Sequence, residues 1–473
     1  MLLKHSVYYL MANGLPGIVN FLAIAIYTRM LSPEEYGRYI LVIAGVSLFD
    51  VVLFQWLRLS MNRFLPAHLD DPKPLLSTIL AGFAAVALLT GGLGILVALL
   101  WPDPTLRAII LIAVPLLWAL AWFEVNLSLS AIKLMPVRYL FIKGTKTAGS
   151  LFLGVLMILW GLGAYGPLLG LLVGMLLATF LWSRVEWMDL DLKIDRIILR
   201  EALSYGLPLT ATFALAFVVS SSDRFLIAWF LDEAHAGLYA AVYDLGQQSL
   251  TLLMSTVNLA AYPLAVRALE QRGEEAARQQ LMRNATLLFA IAIPSATGLA
   301  VLAPNISAVL LGASFREDAA LILPWVALAI LLSGVRAFHF DLAFQLGRRT
   351  MGQVWVMGAA AALNIGLNFW WIPAFGLMGA AYATAASYMM AILLSISLGR
   401  GIFKVPLPCR DVFIVILSSL LMGLFLWYTS DYKGIYALVG QISGGVSVYA
   451  VVLALLKGSR YTREIIRRIQ SEL

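Results

Sequence analysis

Charge is scarce in this chain. Of its 473 residues only 12% are Asp, Glu, Lys or Arg, against 61% hydrophobic, whereas a soluble domain carries about 25% charge. So little polar surface cannot cover the apolar remainder in water, and lipid must solvate much of the chain. The bias runs almost end to end and leaves no room for a large soluble domain. Cysteine is nearly missing: Cys409 stands alone, which excludes an intrachain disulfide. The four histidines, His5, His68, His235 and His339, are scattered and show no metal-ligand spacing. There is no phosphate-binding GxxxxGKS or GxxxxGKT loop, since Gly144-Thr145-Lys146 lacks the first glycine and the preceding strand. HExxH, CxxC and GxSxG are missing as well. The chain therefore reads as a non-enzyme without cofactor or metal. Any transport would be driven by an ion gradient, the membrane potential or a substrate gradient.

What is present is a succession of long apolar runs. A hydrocarbon core of about 30 Å needs roughly 20 apolar residues per helix. Spans are expected at 8–30, 38–58, 76–100, 106–130, 140–161, 165–183, 204–230, 238–262, 284–311, 319–346, 351–372, 376–399, 409–429 and 433–456. The first run is longer than a signal-peptide core and lacks a small-residue cleavage site, so it reads as a span. The expected fold is an all-α, polytopic membrane protein of about 14 transmembrane helices.

Loop charge orients these spans. Basic residues gather in the N-terminus, every second loop and the C-terminal tail, Arg63, Lys73, Lys133, Arg138, Arg184, Lys193, Arg267 and Arg278 among them. They amount to roughly 26 Lys and Arg, against about 5 in the intervening loops. Basic loops stay in the cytoplasm, which puts both termini inside and explains the net charge of +7 by topology and not by nucleic acid. The outer loops are short. Two inner segments pattern as interfacial helices. In 195–206, Ile198, Leu199, Ala202 and Leu203 oppose Arg196 and Arg200. In 460–473, arginines alternate with isoleucines, which suits either anionic lipid or a solvated terminal helix.

The chain also repeats itself. Gly14-Leu15-Pro16 opens span one and Gly206-Leu207-Pro208 opens span seven. Each span ends near a charged turn, followed by a short acidic loop and then Tyr36-Gly37-Arg38-Tyr39 or Ala236-Gly237-Leu238-Tyr239. Six spans separate the copies, so both have the same orientation and are related about the membrane normal. The implied organisation is an N-terminal six-helix lobe (1–183), a cytoplasmic linker with an interfacial helix (184–203) and a C-terminal six-helix lobe (204–399). Two extra helices and a basic tail (400–473) follow. Two pseudo-symmetric lobes facing a central cavity suit alternating access.

Charges inside the membrane are costly, at about 2.5–3.5 kcal/mol on insertion scales, and usually face a bundle interior or a wet cavity. Among bases, Arg224 and Arg336 are read as lying within the membrane, away from the loops. Among acids, Asp50, Glu124, Asp223, Asp244 and Asp341 are read so, with His339 nearby. Arg336, His339, Glu124, Arg224 and Lys143 are cavity candidates for an anionic substrate. The alternative is a structural Glu124–Arg336 ion pair. Asp50, Asp341 and Asp244 are candidates for cation coupling, and Asp50 equally suits a hydrogen bond to a neighbouring helix. Arg224 and Asp244 lie near the outer face, where Arg224 can snorkel. Lys143 and Lys146 open span five from the cytoplasmic side, where they either meet a phosphate or express the positive-inside bias.

The second lobe closes on Asn364-Ile365-Gly366-Leu367-Asn368-Phe369-Trp370-Trp371-Ile372-Pro373, continued by Ala374-Phe375-Gly376-Leu377-Met378-Gly379-Ala380-Ala381-Tyr382-Ala383-Thr384. This resembles the N-x-x-x-N-x-x-x-I-P-x-x-G-x-x-G-A-A-x-A-T signature of polysaccharide transporters in the multidrug/oligosaccharidyl-lipid/polysaccharide flippase superfamily. The segment from Thr28 to Gly37 and its copy from Asp232 to Tyr239 resemble the family's acidic first loop. The resemblance implies a Wzx-like flippase of the bacterial inner membrane. Such a protein moves an undecaprenyl-pyrophosphate-linked oligosaccharide to the outer leaflet for O-antigen (lipopolysaccharide), capsule or exopolysaccharide assembly. Membrane lipid and H⁺ or Na⁺ are further implied partners, as are a polysaccharide polymerase and chain-length proteins. On that reading Arg336 would take the pyrophosphate. The rival readings are a cation-coupled multidrug antiporter of the same superfamily, a glycan polymerase or ligase, and a general nutrient carrier. A polymerase or ligase usually needs a long outer catalytic loop, and this chain has none.

Overall fold

The computed structural model describes residues 2–68, 70–188, 190 and 192–472, without the side chains of 2–13, 15, 212, 216, 219, 220, 260 and 459–472. Every regular element among the described residues is a helix, with no strand. Helices α1 (Leu2–Met30), α2 (Pro33–Phe64), α3 (Lys73–Leu100), α4 (Pro104–Ile132), α5 (Pro136–Leu159) and α6 (Tyr165–Ser183) come first. Then follow α7 (Arg196–Phe230), α8 (Glu233–Arg272), α9 (Glu274–Val301), the short α10 (Ala303–Leu310), α11 (Arg316–Val335) and the short α12 (Leu342–Leu346). The last four are α13 (Met351–Phe375), α14 (Leu377–Gly399), α15 (Cys409–Tyr428) and α16 (Ile435–Glu472). Among the described residues, 12 helical segments are long and apolar enough to span a membrane. They coincide with spans two to six and eight to fourteen, while α1 and α7 occupy the places of spans one and seven.

Three features depart from the expected spans. The segment 195–206 is helical, with Ala202 buried, Leu203 partly buried and Arg196 and Arg200 exposed, but it runs unbroken into span seven as α7. Its buried face is anchored where Ser60 Oγ donates to the Ala202 carbonyl at 2.8 Å, so the helix has no reason to break. Span two extends well beyond 38–58, to Phe64. Span ten is interrupted: a π-turn at Arg336–Phe340 separates α11 from α12. The predicted tail helix at 460–473 is helical through Glu472, but its side chains lie outside the described residues.

The chain divides into two compact units. One comprises residues 1–228 and 232–237, the other 229–231 and 238–473. The first is built on one continuous core, where Phe54, Leu57 and Met61 of α2 meet Leu75 and Ile79 of α3, and Leu116 and Val125 of α4. Beside it, α5 and α6 pack nearly backbone to backbone. Gly170 and Gly174 stand four apart on α6, facing Ser150 and Gly154 of α5, and a Cβ on Gly170 would lie 2.4 Å from the Gly154 nitrogen. In lipid, where apolar side chains gain nothing by leaving solvent, such small-residue faces let dispersion hold helices together.

In the second unit, Asn364 and Asn368 are buried on one face of α13. Asn368 donates to Asn364 at 3.0 Å and Asn364 to Thr384 of α14 at 3.3 Å. Gly376 turns the chain between these helices at φ 59°. Gly379 lies so close to Trp371 that a Cβ would sit 2.0 Å from its carbonyl oxygen. Helices α15 and α16 dock on α9 and α10 through Thr286–Asp411 (3.0 Å), Asn305–Gln441 (2.7 Å) and Tyr449 to the Ala290 carbonyl (2.8 Å).

The repeated loops meet at the N-termini of α2 and α8. Ser32 caps α2 in a reciprocal capping box with Glu35, and Asp232 Oδ1 accepts from the His235 backbone N–H at 2.8 Å. Gly37 and Gly237, 200 positions apart, stack so closely that a Cβ on Gly237 would lie 2.6 Å from the Gly37 nitrogen. Arg38 bonds Glu233 at 3.0 Å and Glu34 at 3.1 Å beside them.

Candidate substrate and coupling site

Two clusters of intramembrane charge emerge, one in each unit. In the first, Asp50 lies at mid-helix on α2 and is 4% exposed; Arg58, two turns later, is 8% exposed. Arg58 Nη2 donates to Asp50 Oδ2 at 2.9 Å and also to Gln55 Oε1. Eight residues of helix separate the two by about 12 Å along the axis. Helical side chains lean toward the N-terminus, so the long arginine folds back along α2 to close the gap. Asp50 Oδ1 and Arg58 Nη1 remain without hydrogen-bond partners among the described residues.

Glu124, half-buried on α4, is within electrostatic reach of Asp50 and of Lys143 and Lys146 on α5. The lysines stand three apart, on one face of the helix. Lys143 Nζ lies 5.8 Å from the Tyr139 ring centroid and Lys146 Nζ 5.9 Å from that of Phe123. Three helices thus bring two acids and three bases into one intramembrane neighbourhood.

In the second unit, Arg336 Nη1 donates to Asp341 Oδ2 at 2.7 Å, while Ser395 of α14 donates to Asp341 Oδ1 at 2.6 Å. Gln353 of α13 reaches the Asp341 carbonyl at 3.3 Å. His339, 1% exposed, is wedged edge-on between Phe289 and Phe340, with ring centroids 6.0 and 4.8 Å away. Its Nε2 has no hydrogen-bond partner among the described residues.

The predicted site residues therefore fall into groups. Asp50, Glu124 and Lys143 gather on α2, α4 and α5. Arg336, His339 and Asp341 gather at the π-turn. Arg224 on α7 and Asp244 on α8 are half-buried. The expectation that Arg224 and Arg336 are the bases within the spans needs correction, because Arg58 and the two α5 lysines lie within membrane helices too. Arg58 is the last residue of the apolar run of span two, where an arginine reads as a charge of the adjoining loop. The usable signal was an arginine two turns after a mid-span aspartate on one helix.

The architecture is a fold shared with a class of solved structures, helical flippases and transporters of the MOP superfamily. The fold is similar to that of the lipid II flippase MurJ in its inward closed conformation, at 16% identity and a TM-score of 0.78, covering 98% of this chain and 100% of that one. It is also similar to an inward-facing multidrug resistance MATE family transporter of the MOP superfamily, at 14% identity and a TM-score of 0.65, covering 83% and 97%. A MOP superfamily transporter from Pyrococcus furiosus overlays at 14% identity and a TM-score of 0.57, covering 84% and 94%. No curated protein matches the chain in sequence. A family described as polysaccharide biosynthesis protein matches residues 26–320, and the chain belongs to that family.

Proposed function

We propose that this protein is a flippase. It carries an undecaprenyl-pyrophosphate-linked oligosaccharide from the inner to the outer leaflet of a bacterial inner membrane by alternating access, with both termini in the cytoplasm. The product would serve a surface or secreted polysaccharide. The observation that carries the reading is coverage. The lipid II flippase fold accounts for 98% of the chain, so α15 and α16 have counterparts in it, while the multidrug transporter fold accounts for 83%. Membership of a polysaccharide biosynthesis family supports the same substrate class.

Within this reading, Lys143 and Lys146 are better pyrophosphate ligands than Arg336, whose guanidinium is engaged by Asp341. The lysines lie at the cytoplasmic start of α5, where a substrate made on the inner face enters. A charge-assisted hydrogen bond contributes about 1.5–3 kcal/mol, so a Lys146→Gln variant is expected to translocate roughly ten- to a hundredfold more slowly, and Lys146→Arg to retain more activity. Unchanged transport by Lys143→Gln/Lys146→Gln, with normal membrane levels, would remove the lysines from the site.

The function itself is tested by deleting the gene and probing intact spheroplasts with a membrane-impermeant glycosidase. Lipid-linked oligosaccharide that accumulates and stays protected until lysis places the block at translocation. Accumulated glycan that is fully accessible indicates a later step, such as polymerisation or ligation. No accumulation at all favours the antiporter reading, for which the buried Asp50 and Asp341 are the supporting observation.

A further inference from the structure

We propose that the first unit holds a binding crevice for an anionic glycerophospholipid of the cytoplasmic leaflet, one acyl chain lying along α6 and the phosphate at Arg184. A cavity of about 640 Å³ opens on this face, within the usual range for small-ligand clefts. From α6 it is lined by Leu176, Leu177 and Phe180, all exposed. Trp122 of α4 and Trp187 after α6 also line it, as does Arg184. These walls suit hydrocarbon.

The crevice is preformed. The Trp122 and Trp187 rings pack at 4.6 Å, and Trp187 Nε1 donates to Asn126 Oδ1 at 2.7 Å. Trp122 in turn rests on Phe83 at 5.0 Å. A site already ordered in this way does not have to be assembled by its ligand.

The charge at the mouth selects the head group. Glu186, next to Trp187, is held by Lys133 and by Arg138, the latter at 2.5 Å. Two bases thus already neutralise Glu186, and Arg184 adds a third at this end of α6. Arg184 is exposed, with its guanidinium 5.1 Å over the Phe180 ring. Arginine on an aromatic face, at the level where basic loops meet the inner leaflet, is well placed for a lipid phosphate. The longer polyprenyl tail of a lipid carrier is the rival occupant, and the test discriminates it.

The full chain, purified in a neutral detergent, would be offered equimolar phosphatidylglycerol and phosphatidylcholine and read by native mass spectrometry. Phosphatidylglycerol is expected to be retained with roughly fivefold preference. That preference should collapse in Arg184→Gln and persist in Arg184→Lys and in Arg63→Gln, which alters an exposed arginine elsewhere on the cytoplasmic side. Leu177→Trp, which fills the crevice, should abolish retention. Equal retention of the two lipids by the unaltered protein, or an unchanged preference in Arg184→Gln, overturns the proposal. So does displacement of phosphatidylglycerol by equimolar undecaprenyl phosphate.

Discussion

An Arg336→Met variant that keeps Asp341 is expected to lose about 3–5 kcal/mol of stability, because it strands a buried carboxylate without its counter-charge. Both side chains are buried. Their 2.7 Å contact is reinforced from the backbone, since the Asp341 N–H donates to the Arg336 carbonyl at 2.8 Å, five residues back. That hydrogen bond is the π-turn, and the ion pair spans the same two residues. Losing the arginine therefore weakens the geometry that orders the end of span ten. The double variant Arg336→Met/Asp341→Leu should recover most of the loss. An apolar pair needs no counter-charge, and Ser395 Oγ can turn to a carbonyl of its own helix. Melting temperature of the purified single and double variants decides the matter. A single variant as stable as the unaltered protein would mean that the pair contributes nothing to the fold. A double variant that is stable but fails to translocate would assign the charges a role in transport.

The span pattern was legible because a lipid-solvated helix must be apolar over its length, whichever neighbours it has. The packing of α13 on α14 was legible too. Asparagines four apart and a Gly-Ala-Ala face have few uses other than a hydrogen bond across helices and a close approach. The charge clusters were less so. Arg336 and Glu124 stand out as intramembrane charges in a linear reading, but which acid meets which base depends on helix rotation and on side-chain direction. Here that choice fell to a π-turn, which shifts residues by one position relative to an α-helix and brings Asp341 onto Arg336. Arg58 shows the same limit. Its partner Asp50 is two turns away, a distance closed by side-chain length and lean that hydrophobic periodicity does not encode.

The internal repeat carries the second large prediction. Gly37→Ala is expected to cost about 3 kcal/mol, the upper end of what overpacking usually costs, although alanine is the better helix former. The new methyl carbon would stand 1.8 Å from the Glu233 carbonyl oxygen and 3.1 Å from the Gly237 nitrogen. The first obstacle is backbone, capped and hydrogen-bonded, so it cannot rotate aside as a side chain would. Relief requires the N-termini of α2 and α8 to separate, which also pulls Arg38 away from Glu233. Gly45 on the same helix supplies the control: a Cβ there meets nothing within 4 Å. Gly45→Ala should therefore gain up to about 1 kcal/mol from helix propensity alone. Opposite shifts in melting temperature for two glycine-to-alanine changes eight residues apart on one helix would isolate the contact from the propensity. Equal shifts would mean that the repeated loops do not close on one another as tightly as Gly37 and Gly237 require. The substitution acts on this loop contact and on the Arg38–Glu233 pair beside it, and leaves the charges around Asp50 and Arg336 untouched.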